Sequence, residues 1–191
     1  MAIEDLTPGI RVMTADRGLQ ELRWTGSRRL DTETLTQAPQ FLPIRIRAGA
    51  LGDGMPRRDL LVSPQHRILI RSQIAERMFG TREILVAAKQ LLQIEGIDIA
   101  TELTEVEYFH LLFDQHEVLL SEGALSESLY TGPEALKCVG EAARDEIFSL
   151  FPELRDTNPD HPPQGARMLA SGRQGRKLAV RHAQHQKALV Q

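Results

Sequence analysis

Two short stretches gather the residue types that move protons. The first is Ser63-Pro64-Gln65-His66, a polar turn held between the apolar runs Leu60-Leu61-Val62 and Ile68-Leu69-Ile70. A hydroxyl and an imidazole three residues apart on such a turn can converge on one point, where together they could hydrogen-bond a peptide group and protonate its nitrogen. The structural alternative is that Ser63 caps the turn and His66 a strand end, and spacing alone favours that alternative. The second stretch runs from Val106 to Gly123 and embeds His110, Asp114 and His116 in a dense apolar sequence. Their shared parity puts all three on one face of a straight strand, whereas a turn at Asp114-Gln115 would set His116 at the tip of a hairpin. Either arrangement makes them neighbours. With His66 as a fourth ligand they could bind zinc, but nothing fixes their spacing as a His-Glu-x-x-His helix would. No metal and no cofactor is expected.

Other reactive side chains carry less. His182 and His185, three apart near the C-terminus, read as a solvated face. Cys138 sits beside Leu136 and Val139, as a buried inert thiol does. A phosphate-binding loop ending in Lys-Ser or Lys-Thr, a Gly-x-Ser-x-Gly elbow and a dinucleotide fingerprint are all absent, so the common hydrolase and nucleotide routes have no support.

The elements that must position these residues are mostly short strands. Ile10 to Thr14 alternates with period two, Asp16-Arg17-Gly18 supplies a tight turn, and Leu19 to Trp24 reads as the returning strand of a hairpin. Further β runs are Ile44–Arg47, Leu60–Val62, Arg67–Ile70, Glu83–Val86, Leu103–Phe113 and Glu117–Ser121, which argues for a compact, mostly antiparallel fold. Ala87 to Leu92 suggests one or two helical turns. A helix over 133–151 is better marked: Pro133 and Glu134 open it, Leu136, Val139, Ala143, Ile147 and Leu150 recur at three- and four-residue steps, and Pro152 stops it. The expected organisation is therefore a β domain over 1–154 that includes this helix, then a Pro-rich linker and basic tail over 155–191.

Composition is consistent with a folded body. The 191 residues are 41% hydrophobic and 26% charged, and no apolar run is long enough to span a membrane. The start, Met1-Ala2-Ile3-Glu4-Asp5, does not read as a signal peptide, so a cytoplasmic location is the default expectation. One cysteine rules out an internal disulfide. The net charge is −3, yet residues 164–191 hold six basic side chains (Arg167, Arg173, Arg176, Lys177, Arg181, Lys187) and no acid. That leaves an acidic body with a basic, at most weakly amphipathic tail.

The run Pro43-Ile44-Arg45-Ile46-Arg47-Ala48-Gly49-Ala50-Leu51-Gly52, continued by Arg58-Asp59-Leu60-Leu61-Val62-Ser63-Pro64-Gln65-His66, resembles the Hint domain of Hedgehog autoprocessing domains and inteins, in the bacterial branch found in alphaproteobacterial proteins. Ile3-Glu4-Asp5-Leu6-Thr7-Pro8-Gly9, Arg23-Trp24-Thr25-Gly26, Glu83 to Ala88, and Tyr108 to Glu117 with Glu122-Gly123 and Glu127-Ser128 agree, so the likeness covers Ile3 to Leu154. It implies a horseshoe-like all-β fold, here with a C-terminal helix and basic tail, whose chemistry is self-directed acyl transfer. In active members a Cys or Ser opening the domain attacks the preceding carbonyl. Ser63-Pro64-Gln65-His66 matches the Thr-x-x-His element that grips this peptide, with His66 protonating the departing nitrogen and Ser63 holding the strained bond. Asp114 and His116 fall in the late motif, where such groups relay protons.

The departures shape the expectation. The family's opening strand, with its nucleophile and Gly-Thr pair, would precede Ile3-Glu4-Asp5-Leu6 and is not in this sequence. Neither Met1 nor Ala2 offers an activated group, and the terminal His-Asn pair of splicing inteins is missing. The chain is therefore expected to be inactive or truncated as it stands, so whether it acts as an enzyme stays open. Its partner would be its own N-terminal flanking peptide or a fused upstream domain. The alternatives are a non-catalytic interaction module on the same fold and, ranked last, an anionic-surface binder using the tail. The tail has no aromatic side chains for base stacking, so nucleic acid is not the expected target, and neither is a membrane.

Overall fold

The computed structural model describes residues 1–132 and 163–191, together with 144, 145, 147, 148 and 155. Twelve strands in the described residues form three sheets. β1 (Arg11–Thr14), β2 (Gly18–Glu21), β6 (Arg67–Arg71), β7 (Glu83–Ala87), β10 (Val118–Ser121), β11 (Ala124–Glu127) and β12 (Met168–Leu169) make a seven-stranded sheet in the order β12-β7-β6-β11-β10-β1-β2. All neighbours in it are antiparallel except the short β12, which runs parallel to β7. β3 (Trp24–Leu30) pairs with β9 (Val106–Leu112), and β4 (Ile44–Ile46) lies between β5 (Leu60–Val62) and β8 (Ile97–Ile99).

The central strands are apolar on consecutive residues because both sheet faces are covered. Ile68, Ile70, Ile84 and Val86 join the main core under the C-terminal helix, while Leu69 and Leu85 pack on the opposite face with Val118. The β1–β2 hairpin turns as its sequence requires: Gly18 has φ of 66°, and the Thr14 hydroxyl bridges the turn by donating to the Gly18 carbonyl at 3.0 Å and accepting from the Arg17 N–H at 3.2 Å. The returning strand stops at Glu21. After Leu22 and Arg23 the chain enters β3 in another sheet, so Leu19 to Trp24 is two elements and not one.

Helices differ most from the sequence reading. α1 (Thr32–Gln37) is capped by Asp31, and α2 (Gln73–Phe79) by Ser72, ending at Gly80 in the left-handed region. Ala87 to Leu92 is the end of β7 followed by a 3-10 turn over Ala88–Gln90. The helix expected over 133–151, apart from helical residues at 144, 145, 147 and 148, lies outside the described residues, as do Cys138 and most of the linker.

The basic tail is corrected. Its residues fold into β12 and then α3 (Gly172–Gln184), a 13-residue helix whose Ser171 and Gln174 form a reciprocal capping box. Its inward positions are Gly175, Leu178, Ala179 and His182, opposite the exposed Arg173, Lys177 and Arg181, so the helix is clearly amphipathic and not weakly so, although its inward face holds only one large aliphatic residue. The small residues serve close approach: a Cβ on Gly175 would lie 2.8 Å from Cγ1 of Val86. His182 is fully buried and not on a solvated face; its Nδ1 lies 3.0 Å from the Lys187 carbonyl and its Nε2 3.0 Å from the Ser72 hydroxyl, tying α3 to the start of α2.

Candidate functional site

His66, His116 and Glu127 collect at one end of the seven-stranded sheet, where β6 and β10 begin and β11 ends. Strand register explains why. Ser126 opposes Ile68 and Glu127 opposes Val118, so the first residue of β6, the last of β11 and the segment leading into β10 are brought side by side.

The Ser63–His66 turn is fixed by backbone bonds at both ends. The His66 N–H donates to the Ser63 carbonyl at 3.0 Å, and the N–H groups of Ala88 and Lys89 donate to the carbonyls of His66 and Pro64 at 2.9 and 3.1 Å. The turn is thus bonded to the 3-10 turn after β7. The Ser63 hydroxyl and the His66 ring make no hydrogen bond among the described residues. Loss of hydration lowers the His66 pKa below the ordinary histidine value, opposed by the Glu127 carboxylate and assisted by Arg67 and His116. His110, on β9 opposite Gly26, is lowered in the same direction by burial and by the charge of His66.

The most engaged residue is Glu127, buried at 8% exposure. It accepts from the Arg67 N–H at 2.9 Å and from the Arg67 guanidinium at 3.0 and 3.3 Å. His116 Nε2 lies 3.3 Å from its Oε2, at an ion-pair distance without a formed hydrogen bond. Burial alone would raise the Glu127 pKa, but His116, His66 and Arg67 outweigh it and hold the carboxyl below its usual value. The Arg67 guanidinium and the His116 ring both lie against Tyr130, at 5.9 and 5.1 Å from its ring centre.

His116 sits on the link between β9 and β10, which belong to different sheets, so the chain bends there and a straight strand does not form. Its side chain is 3% exposed. Nδ1 accepts the Ala166 N–H at 3.1 Å, which puts the ring proton of the neutral form on Nε2, facing Glu127. Asp114 is separated from this group by the same bend: it is 65% exposed and pairs with Arg23 at 3.3 Å. Asp114 and His116 share the wall of a cleft of about 540 Å³ with Arg17, Thr131 and Gln164, a cleft that neither Ser63 nor His66 lines. The zinc alternative finds no geometry, since no three His, Cys, Asp or Glu among the described residues are arranged to hold a metal ion.

The structure therefore brings His66 and His116 within electrostatic reach of each other around Glu127 and leaves Asp114 outside. Sequence reasoning passed over Glu127 and Arg67 as site members. Their signal was a carboxylate ending the apolar strand Ala124-Leu125-Ser126-Glu127 and a cation opening Arg67-Ile68-Leu69-Ile70, both where a half-buried strand would carry neither without a partner.

Comparison with known proteins finds one family. The family model described as Hint domain matches residues 1–133, a stretch that contains every member of the cluster. No curated protein and no solved structure matches the chain. No helix among the described residues is long and apolar enough to cross a membrane.

Proposed function

The chain belongs to the Hint domain family, and from that membership we propose that it is a self-processing module whose substrate is the peptide bond joining it to the polypeptide on its N-terminal side. The reaction is an acyl shift. A thiol or hydroxyl at that junction attacks the preceding carbonyl, the carbon–nitrogen bond breaks, and the proton lost by the nucleophile ends on the released nitrogen. The two parts stay joined through the new thioester or ester until water hydrolyses it, leaving a carboxylic acid on the N-terminal part and the thiol or hydroxyl restored on this chain.

One observation carries this reading: the His66 imidazole is held on a doubly anchored turn, carries no hydrogen bond among the described residues and has its pKa lowered by burial. An imidazole in that state is neutral near pH 7. It can take the nucleophile's proton, and once charged in a poorly hydrated place it is a strong acid toward the departing nitrogen. Glu127, whose charge opposes the lowering, keeps the charged form accessible. Ser63 would hold the peptide, and His116 would assist the later step as a hydrogen-bond donor through Nε2. The exposed, Arg23-paired Asp114 would act only at the cleft rim. The rival anionic-surface reading is weakened because Arg167 and Arg176 are engaged within the molecule, by Asp16 and Glu83 and by Gln90.

The test is to express the chain behind its natural upstream sequence, with a Cys or Ser at the junction, and to follow product by mass spectrometry. Cleavage is expected, slowed about 10²–10⁴-fold by His66→Ala. An unchanged rate in that variant would remove His66 from the mechanism, and no cleavage with an intact junction would remove the function.

A further inference from the structure

Residues 163–169 lie beyond the family match, yet they run across the cluster. The Tyr130 hydroxyl donates to the Pro163 carbonyl at 2.8 Å, fixing the ring against which His116 and Arg67 lie. The Ala166 N–H donates to His116 Nδ1. Arg167 then reaches both oxygens of Asp16, at 2.6 and 2.9 Å, and also Glu83, while Met168 and Leu169 pair with Ile84 and Leu85. Behind this segment α3 and Leu189 enter the main core. The segment is thus anchored on both sides of the single backbone donor that meets the histidine.

That donor decides where the ring proton goes. A neutral imidazole carries one proton on one of two nitrogens, and the hydrogen bond made by one nitrogen sets the state of the other. With Nδ1 accepting from a fixed N–H, the proton resides on Nε2, which is buried, 3.3 Å from Glu127 and without a formed hydrogen bond. A neutral ring keeps that proton near pH 7, so Nε2–H so placed acts as a hydrogen-bond donor to a group entering the cluster.

We propose that the segment 163–169 is a positioning strap for His116, with the Ala166 amide selecting the Nε2–H form of the ring and leaving that donor beside Glu127 without a partner of its own. The consequence for cleavage rests on the self-processing reading; the ring state does not.

The whole chain, labelled with ¹⁵N, tests it. The expected result is a scalar coupling across the hydrogen bond from the Ala166 amide nitrogen to His116 Nδ1, and imidazole shifts of the Nε2–H form. Ala166→Pro, which deletes the donor, should abolish the preference, and Ala166→Gly, which keeps it, should restore the wild-type ring spectrum. In the protein carrying its upstream sequence, Ala166→Pro should slow cleavage about tenfold, less than the roughly 10²–10⁴ lost with an acid–base group itself. Should Ala166→Pro not fold, the coupling in the unaltered chain decides. No coupling, or a ring proton on Nδ1, overturns the strap. A chain with the coupling present that never cleaves would overturn the self-processing function and leave the strap standing.

Discussion

Arg67 and Glu127 meet twice, once through the backbone N–H of Arg67 at 2.9 Å and once through its guanidinium at 3.0 Å. The pair ties the start of β6 to the end of β11 at the point where the candidate histidines gather. Both groups are largely removed from water, so the energetic content is asymmetric: removing one partner strands the other.

Glu127→Ala should therefore cost about 3–5 kcal/mol of stability. Replacing both residues with apolar side chains of similar volume, as in Arg67→Met with Glu127→Leu, should recover the part owed to the stranded guanidinium but not the part owed to the residue-67 N–H, which loses its acceptor. Denaturant unfolding of the two variants measures the difference, and a double variant no more stable than Glu127→Ala would contradict it.

Gly175 is the position where α3 closes on β7. Gly→Ala inside a helix ordinarily gains about 1 kcal/mol, but here the new Cβ would stand 2.8 Å from Val86 Cγ1 and 3.1 Å from Gln90 Cβ. Overpacking costs typically 1–3 kcal/mol, so the clash wins. Gly175→Ala should destabilise, and adding Val86→Ala should return part of the loss. A Gly175→Ala chain that melts at or above the parent temperature would show that helix and strand can separate without penalty.

How much was readable in advance follows from which side chains meet. β6 and β7 are visible as apolar runs, and the Ser63–His66 turn stands out because it is polar between them. α3 escaped notice because its buried stripe is Gly175, Leu178, Ala179 and His182, where close approach and a buried polar bond replace aliphatic bulk. α2 escaped because its cap, Ser72, and its stop, Gly80, bracket only seven residues. At the site, His66 and His116 were legible as residue types in a recognisable pattern. That Asp114 turns away while Glu127 turns in depends on a bend between two sheets and on a β6–β11 register, and neither is written in local spacing.

His182 makes stability fall on acidification. Burial lowers its pKa in the folded chain relative to the unfolded value of about 6.5, against the opposing pull of the Lys187 and Ala188 carbonyls. The unfolded chain therefore binds the proton first. The stabilisation is fully present above pH 6.5 and is lost as pH falls through the folded value. Melting temperature should drop between pH 7 and pH 5. His182→Asn should lower it at pH 7, by loss of buried bonds worth about 1–3 kcal/mol, and flatten the drop. A variant with the parent's slope would mean that His66 and His110, lowered in the same sense, account for all of it.

The lowered His66 pKa also sets the pH range of cleavage. The acyl shift begins with neutral His66 accepting the nucleophile's proton, so the rate should fall only when His66 is already charged in the free protein. Because its folded value lies below 6.5, the acid limb of the rate profile should fall below pH 6.5 and not at it. Neutralising Glu127, whose charge raises the His66 value, should move that limb lower still, provided the variant folds; Glu127→Gln keeps the shape and is the one to measure. Cleavage rates from pH 4.5 to 8 in the protein carrying its upstream sequence decide the matter, and an acid limb that Glu127→Gln shifts upward would sink the assignment of that limb to His66.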